Sequence, residues 1–579
     1  MLRKRKGLDF LSSAALRWFI IILAPIVLGL LSVTKNFYGL TDRSALDMAQ
    51  VARNLARTGH YTTQSIRPLS LVYKATTDDH PDLYNEPLWP FVLSNVFRIW
   101  RAADKPVAAT GMVLWLATVW LTLGLARRLF SWRVTALAAV LLACNVTVLP
   151  VSVSGTNAML ATLLVLLMLW ALYRRETRQD EGARAAAQPL PLWRLGVAGA
   201  LLGLGTLTMY PLAVLAIPVV IYAATDRRPI RLLRPAIVLA GMILVLLPWL
   251  IRNQVVAGSP FSTLHAFDVA GGTQTYPGQS VFRSMDPDTA RNALPLAFMW
   301  RHLGEVLAKA KATVFGLPGV ALGAVGPLVV VFFFFSMFQQ PQDRGLVRLR
   351  RCFFGMFIAH VMILALTRSR ASDLLIYAPL GTILAAAGMA RLIGAIDLTS
   401  IRQGWQAHEW RLGAVALGRL LTLAVLVGVA IWPFGQWLRG RSYAPLVASF
   451  QGWYTWLKPT AGGAPLLMSD VPEAVAWYCD LPAVWLTRSS LDYDRLVVKV
   501  RPVGILHFLA PPLAQARAEG ASWWWTAYSS PAPYKGLVQR GPGRPDRPDL
   551  GLDRECRRSL PSLTLPLPVT QSATRGPQT

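Results

Sequence analysis

Asp42, Asp47 and Glu86 are carboxylates placed between two long apolar runs, and Arg67, His80 and Asp82 stand in the same interval. A carboxylate within reach of a hydroxyl can accept its proton. A guanidinium can hold a phosphate through two parallel hydrogen bonds. Histidine and carboxylates can ligate a metal, which makes His80, Asp82 and Glu86 the metal-ligand candidates. Far downstream, Arg368 and Arg370 occupy a very short turn between apolar runs, and Tyr377 stands at the head of the second. Ionisable groups beside hydrocarbon are costly, so those found near a cavity are candidates for function.

Each has a plainer explanation. Ser44 with Asp47 three residues on reads as a capping box, with Asp47 satisfying backbone donors. Asp42 fits a turn or cap residue. Glu86 fits an acidic group at a helix N-terminus. Asp78, Asp79 and Asp82 around His80 fit a solvated acidic loop, as do His265 and Asp268 further on. Arg368 and Arg370 fit rim arginines against lipid headgroups. The chain has no CxxC, HExxH, GxxxxGK[ST] or GxSxG, so metalloprotease, P-loop and serine-hydrolase chemistry have no support.

The elements that must position these residues follow from composition. Of 579 residues, 54% are hydrophobic and only 15% charged, and the mean hydropathy is +0.41. A soluble domain carries about 25% charged residues. The deficit excludes a soluble enzyme, a disordered chain and a coiled coil, and points to a polytopic membrane protein. The 21 tryptophans suit interfacial belts. Cys144, Cys352, Cys479 and Cys556 give no disulfide framework.

Uncharged runs place spans at 18–34, 106–126, two within 133–174 with a turn near Ser154-Gly155, a hairpin of two short helices within 194–226 around Tyr210-Pro211, and single spans at 235–251, 312–342, 352–367, 374–390 and 420–438. That makes about 11. Arginines cluster in alternate loops, for example Arg127, Arg128 and Arg133, or Arg227, Arg228, Arg231 and Arg234. Positive loops face the cytoplasm, which puts the N-terminus inside and everything after 438 outside. Much of the net charge of +28 is therefore topology rather than a nucleic-acid patch. The expected domains are a cytoplasmic N-terminus and first span (1–34), a first outer loop (35–105), ten further spans (106–438) with a second outer loop at 252–311, an extracytoplasmic α/β domain (439–529) and a disordered Pro/Arg-rich tail (530–579). Within the α/β domain, 465–468, 483–486 and 503–509 read as strands of a parallel sheet, with helices at 472–478 and 491–499 between them. Trp523, Trp524 and Trp525 read as part of its core.

In the first outer loop, residues 44–57 carry an apolar stripe (Ala45, Met48, Ala49, Ala52, Leu55, Ala56) opposite Asp47, Gln50, Asn54 and Arg57, and Gly59 ends the pattern. Such a helix is expected to lie in the membrane interface with Asp47 facing water or a cavity. A second helix starts near Pro87.

The run from Asp47 to Thr63, the Ile66-Arg67-Pro68-Leu69 that follows and the stretch from Pro81 to Pro90 resemble the first outer loop of bacterial GT-C glycosyltransferases. The branch resembled is the family-39 protein mannosyltransferases and the aminoarabinose transferase of lipid A. Glu86-Pro87-Leu88-Trp89-Pro90 departs from that family's Pro-Pro-Leu-Tyr-Pro by Glu for Pro and Trp for Tyr. Ser469-Asp470-Val471-Pro472 with Ala476-Trp477-Tyr478 resembles the outer domain of other members.

The resemblance implies an all-α polytopic GT-C-like fold with a small extracytoplasmic C-terminal α/β domain. It implies a polyprenyl-phosphate sugar donor, a carboxylate that takes the proton of an acceptor hydroxyl, inversion at the anomeric carbon, and cations that stabilise the departing lipid phosphate. The family's acidic position maps to Asp47, the expected base, or to Asp42. Arg67, Arg368 and Arg370 are the expected phosphate contacts. Glu86 would orient the acceptor or bind a metal, and Tyr377, with Pro379, resembles a late Arg…Tyr…Pro region. Some members use a divalent metal and others do not, so no cofactor is assigned. The expected partners are the lipid-linked donor and membrane lipids, with no nucleic acid, at the inner or plasma membrane. The acceptor, whether protein, lipid or glycan, stays open. The competing readings are an O-antigen-type polymerase or ligase, which lacks the acidic first-loop helix, a transporter or flippase, which predicts inverted repeats, and a non-catalytic scaffold on the same fold.

Overall fold

A computed structural model of the chain describes residues 14–174, 190–225, 232–261, 264–286, 295–337, 343–367, 371–394, 466–469, 471–500 and 504–506, with a few positions between 428 and 439. Arg368, Arg370, most of the run at 420–438, Trp523 to Trp525 and the tail at 530–579 lie outside the described residues. The chain divides into two compact units, each assembled from separated segments. One comprises Met1–Ala45, Glu86–Gln254 and Ala310–Tyr443, and the other Leu46–Asn85, Val255–Lys309 and Ala444–Thr579.

The first unit is helical. Four of its described helices are long and apolar enough to cross a membrane: Asp104–Leu129, Leu233–Ala257, Gly345–Leu366 and Ser372–Leu392. Shorter apolar helices accompany them, including Ala158–Leu172 and Leu192–Thr208. Lipid cannot satisfy backbone polar groups, so such runs must close their hydrogen bonds within helices. This is a multi-pass membrane protein. Leu233–Ala257 leaves Leu239, Ile243, Leu244, Leu247 and Ile251 exposed, a face suited to lipid. Its other side lies close to Leu192–Thr208, because a side chain on Gly199 or Gly203 would strike the backbone of Val238 or Met242. Small residues at this spacing let membrane helices pack backbone to backbone.

The run at 194–226 folds as two helices, Leu192–Thr208 and Ala216–Ala224, joined by the 3-10 turn Tyr210–Leu215. The run at 133–174 breaks twice, into Trp132–Ala143, Val148–Val153 and Ala158–Leu172. Its second break holds Gly155 at φ +83°. The run at 312–342 is not one continuous helix. It forms Leu303–Val325 and Pro327–Met337. Gly326 ends the first helix with a φ of +90°, and Pro327 opens the next, an arrangement helices favour at stops and starts. Asn145 Nδ2 donates to the freed carbonyl of Val325 at 2.6 Å.

The second unit contains a four-stranded, all-parallel sheet. Its strands are β1 (Ser65–Ile66), β2 (Leu467–Ser469), β3 (Ala483–Trp485) and β4 (Gly504–Leu506), in the order β1-β3-β2-β4. The helix Ser490–Val500 precedes β4. The three late strands stand where the apolar runs predict them. The first does not come from the C-terminal piece: Ser65 and Ile66 of the first loop pair with Ala483 and Val484. Ile66, Leu71, Met285, Met468, Val484 and Leu496 share one apolar core, so all three segments of the unit contribute to it.

Candidate active site

The helix Arg43–Thr58 begins where the amphipathic pattern does. Its first amides are capped by Asp42, whose Oδ1 accepts from Ser44 N at 2.8 Å and Ala45 N at 3.1 Å. Capping therefore falls to Asp42, an exposed residue, and Asp47 is released from the role a capping box would give it.

Asp47 does not face water. It is 2% exposed, and its helix is buried on its polar side as well as its apolar one. The polar side finds partners inside the second unit. Gln50 Nε2 donates to Asp47 Oδ1 at 3.1 Å and to Thr63 Oγ1 at 2.6 Å, and its Oε1 accepts from Gln64 N at 2.9 Å. Asn54 Nδ2 donates to Thr62 O at 3.3 Å. Arg53 donates to the carbonyls of Ala476 and Trp477. Buried polar groups are tolerable only when paired in this way.

The second oxygen of Asp47 meets Arg67. Nη2 and Oδ2 are 2.7 Å apart, and the Arg67 side chain is 5% exposed. The guanidinium lies 3.7 Å from the Tyr84 ring centroid and 5.1 Å from that of Trp485. Its buried Nε has no hydrogen-bond partner among the described residues. Burial opposes the charge of Arg67, but Asp47, Tyr84 and Asp82 together outweigh it and hold the group above its ordinary value. Arg283 approaches the same indole, its Cζ 5.4 Å from the Trp485 ring centroid, and is itself buried.

Asp82 and His80 sit nearby, each bonded to neighbouring groups. Asp82 accepts from Tyr84 N at 2.7 Å, Asn85 N at 3.1 Å and Asn85 Nδ2 at 2.7 Å. Burial and the charge of Asp47 raise its carboxyl above the usual range, against the pull of Arg67, Asn85 and Tyr84. His80 is buried, with Nε2 2.8 Å from Ser70 Oγ and Nδ1 2.7 Å from Thr76 O. Burial, with smaller effects of Lys74 and Arg67 and against the bond to Thr76, lowers it to about 4. The oxygens of Asp82 and nitrogens of His80 are thus committed to the protein. No group of three His, Cys, Asp or Glu side chains able to hold a metal occurs among the described residues.

The remaining candidates belong to other segments of the chain. Glu86 belongs to the first unit, buried just ahead of the helix Leu88–Ile99. Tyr377, also in the first unit, packs edge-on against Phe353 and Phe357, and its hydroxyl donates to Met356 O at 2.9 Å. His265 and Asp268 are not solvated. His265 Nδ1 lies 2.8 Å from Asp268 Oδ2, and Asp268 is buried. Tyr84, Arg283 and Trp485 were not legible as site residues. Trp485 falls in a stretch readable as a strand, and a lone arginine such as Arg283 in a loop gives no signal.

The arrangement is a buried carboxylate and guanidinium in contact, walled by aromatic rings, with one donor of the guanidinium still to be satisfied. The sequence model of the dolichyl-phosphate-mannose-protein mannosyltransferase family matches residues 79–251. The structure is similar to ArnT from Cupriavidus metallidurans bound to undecaprenyl phosphate, with a TM-score of 0.53 at 12% identity, over 85% of this chain and 90% of that one. The fold is like that of the GT-C glycosyltransferases. The chain's resemblance is to their protein-mannosyltransferase and ArnT branch. The oligosaccharyltransferase of Archaeoglobus fulgidus in its apo form is similar over 85% of this chain and 70% of its own, with a TM-score of 0.52 at 12% identity. AglB from the same organism, in complex with an inhibitory peptide and a dolichol-phosphate, gives 0.51 at 12% identity over 89% of this chain and 73% of its own. No curated protein sequence matches the chain.

Proposed function

We propose that this protein is a membrane glycosyltransferase that moves a sugar from a polyprenyl-phosphate donor to an acceptor hydroxyl on the extracytoplasmic face. The observation that carries the reading is the buried contact between Asp47 and Arg67. The relatives add support, since one is described bound to undecaprenyl phosphate, another to a dolichol-phosphate, and the matching family is named for dolichyl-phosphate-mannose.

Asp47 accepts the proton of the acceptor hydroxyl as its oxygen attacks the anomeric carbon. The bond from that carbon to the lipid phosphate breaks, the electron pair stays on the phosphate oxygen, and the configuration inverts. Arg67 keeps one nitrogen on Asp47 and turns Nε to the phosphate as it becomes anionic, where a preorganised cation in a water-poor site is most effective. From the sequence pattern alone, Glu86 is kept as the candidate for orienting the acceptor, and Arg368 and Arg370 as candidates for phosphate contact. The proposed topology is eleven spans in the inner or plasma membrane, with the N-terminus in the cytoplasm, following the arginine-rich loops.

The test is turnover of a panel of polyprenyl-phosphate sugars by the purified protein in lipid, with cell-envelope extract as acceptor, beside Asp47→Asn and Asp42→Asn. Transfer that disappears only in Asp47→Asn is the expected result. Loss only in Asp42→Asn would keep the reaction and move the base. A folded protein that consumes no donor would sink the reading and favour a polymerase, ligase or scaffold.

A further inference from the structure

Tyr84 is gripped on both faces. The Arg67 guanidinium carbon stands 3.7 Å from its ring centroid, and the His265 imidazole is stacked on it at 4.2 Å with an interplanar angle of 17°. Two groups this close to one centroid cannot share a face, so Tyr84 is the middle layer of three. Phe282 closes its edge at 5.4 Å and 80°. The imidazole has its own support, through Nδ1 to Asp268 Oδ2. The backbone carbonyl of Asp268 in turn accepts from Lys309 Nζ at 2.7 Å. One residue before each ring, Leu264 N donates to Leu83 O at 2.9 Å, tying the second outer loop to the first beside the stack.

We infer that Tyr84 and His265 are positioning residues, which fix the plane and height of the Arg67 guanidinium and so the place where the leaving phosphate is held. The inference rests on the function proposed above. With its Cζ 3.7 Å from the centroid, the guanidinium is held at a fixed height over the ring, and its planar fork can present Nη2 to the carboxylate and Nε to a phosphate. A shift of the group misaims both donors at once. The second outer loop, which holds no proton-transfer group in this scheme, thereby reaches the chemistry through one aromatic layer.

The experiment measures kcat and KM for the lipid-linked donor with the full-length protein in lipid. His265→Ala, which removes the layer, is expected to lower kcat about tenfold with little change in KM, since small misplacements of a transition-state contact are costly. His265→Phe keeps a flat ring and is expected to lose less than about twofold. In an Arg67→Lys background, where no flat guanidinium remains to be positioned, His265→Ala is expected to cost nothing further. Equal losses for His265→Ala and His265→Phe, or the same loss in both backgrounds, would overturn the inference. Thermal melting of the single and double variants supplies a readout that needs no turnover. Coupled melting shifts with an inactive wild type would sink the proposed reaction and keep the stack, whereas additive shifts would sink the stack.

Discussion

Arg53 of the first loop donates to the carbonyl of Trp477 at 2.8 Å and lies over the indole of the same residue, 5.1 Å from its centroid. It also donates to Ala476 O at 2.6 Å and pairs with Asp480 at 2.9 Å. These carbonyls end the short helical stretch Val475–Cys479, where Asp480 turns the chain at φ +55°. One arginine thus caps a C-terminal helix end from the opposite end of the sequence. Arg53→Met keeps the aliphatic bulk and removes every donor. It is expected to destabilise the protein by about 2 kcal/mol, the cost of buried acceptors left unpaired. A melting temperature equal to wild type would contradict this.

Asp47 and Asp42 separate cleanly by substitution. Asp47→Asn is expected to reduce transfer at least about 100-fold, the usual worth of a general base, while the protein still folds. Asp42→Asn keeps a side-chain acceptor at the cap and is expected to be nearly neutral, whereas Asp42→Ala is expected to cost about 1 kcal/mol of stability. Paired activity and melting measurements on the three variants check both halves.

Arg67→Lys keeps a positive charge and gives up the planar fork. Lysine cannot lie flat on Tyr84 while serving two acceptors. Transfer is expected to fall about tenfold to a hundredfold, the range for loss of one preorganised donor being somewhat higher. Wild-type rates in this variant would show that charge alone suffices.

His80 makes stability depend on pH. Its folded value of about 4 lies below the ordinary 6.5, so between these values the unfolded chain binds a proton that the folded chain refuses. Stability is full above 6.5 and falls as the pH drops toward 4, by about 3 kcal/mol at the bottom of the window. Melting temperatures of wild type and His80→Gln across this range are the measurement. A wild-type slope that persists in the variant would assign the effect to another group.

The elements were more legible in the sequence than their partners. The pattern of Ala45, Met48, Ala49 and Ala52 locates the helix Arg43–Thr58, and the runs around Leu467, Ala483 and Ile505 locate strands, because local periodicity reports burial. The pattern left open whether Asp47 faces water or the interior, since a helix whose polar face is covered by distant polar groups looks identical to one whose polar face is wet. Ser44-x-x-Asp47 pointed to the wrong cap because Asp42, two residues before Ser44, takes Ser44 N, the amide a capping box would give to Asp47, together with Ala45 N. β1 is two residues long, too short for any periodic signal. The Tyr84 and His265 stack joins two loops, and nothing local in either announces the other. The break at Gly326-Pro327 leaves no mark in hydropathy, because the apolar run continues across it.

The placement of β1 beside β3 sets the order in which the protein can become functional. Roughly 400 residues separate Ile66 from Ala483. A ribosome adding about 5 to 20 residues per second needs about 20 to 80 seconds to cover that distance. Through that interval the first loop is already outside its ribosome while the strand it pairs with does not yet exist. Arg67, adjoining β1, has no Trp485 to lie against until then. Nascent and prematurely terminated chains therefore carry Asp47 without its finished surroundings. The proposed transfer therefore waits until the chain has been made past Trp485, a built-in delay between the appearance of the first loop and the completion of its surroundings.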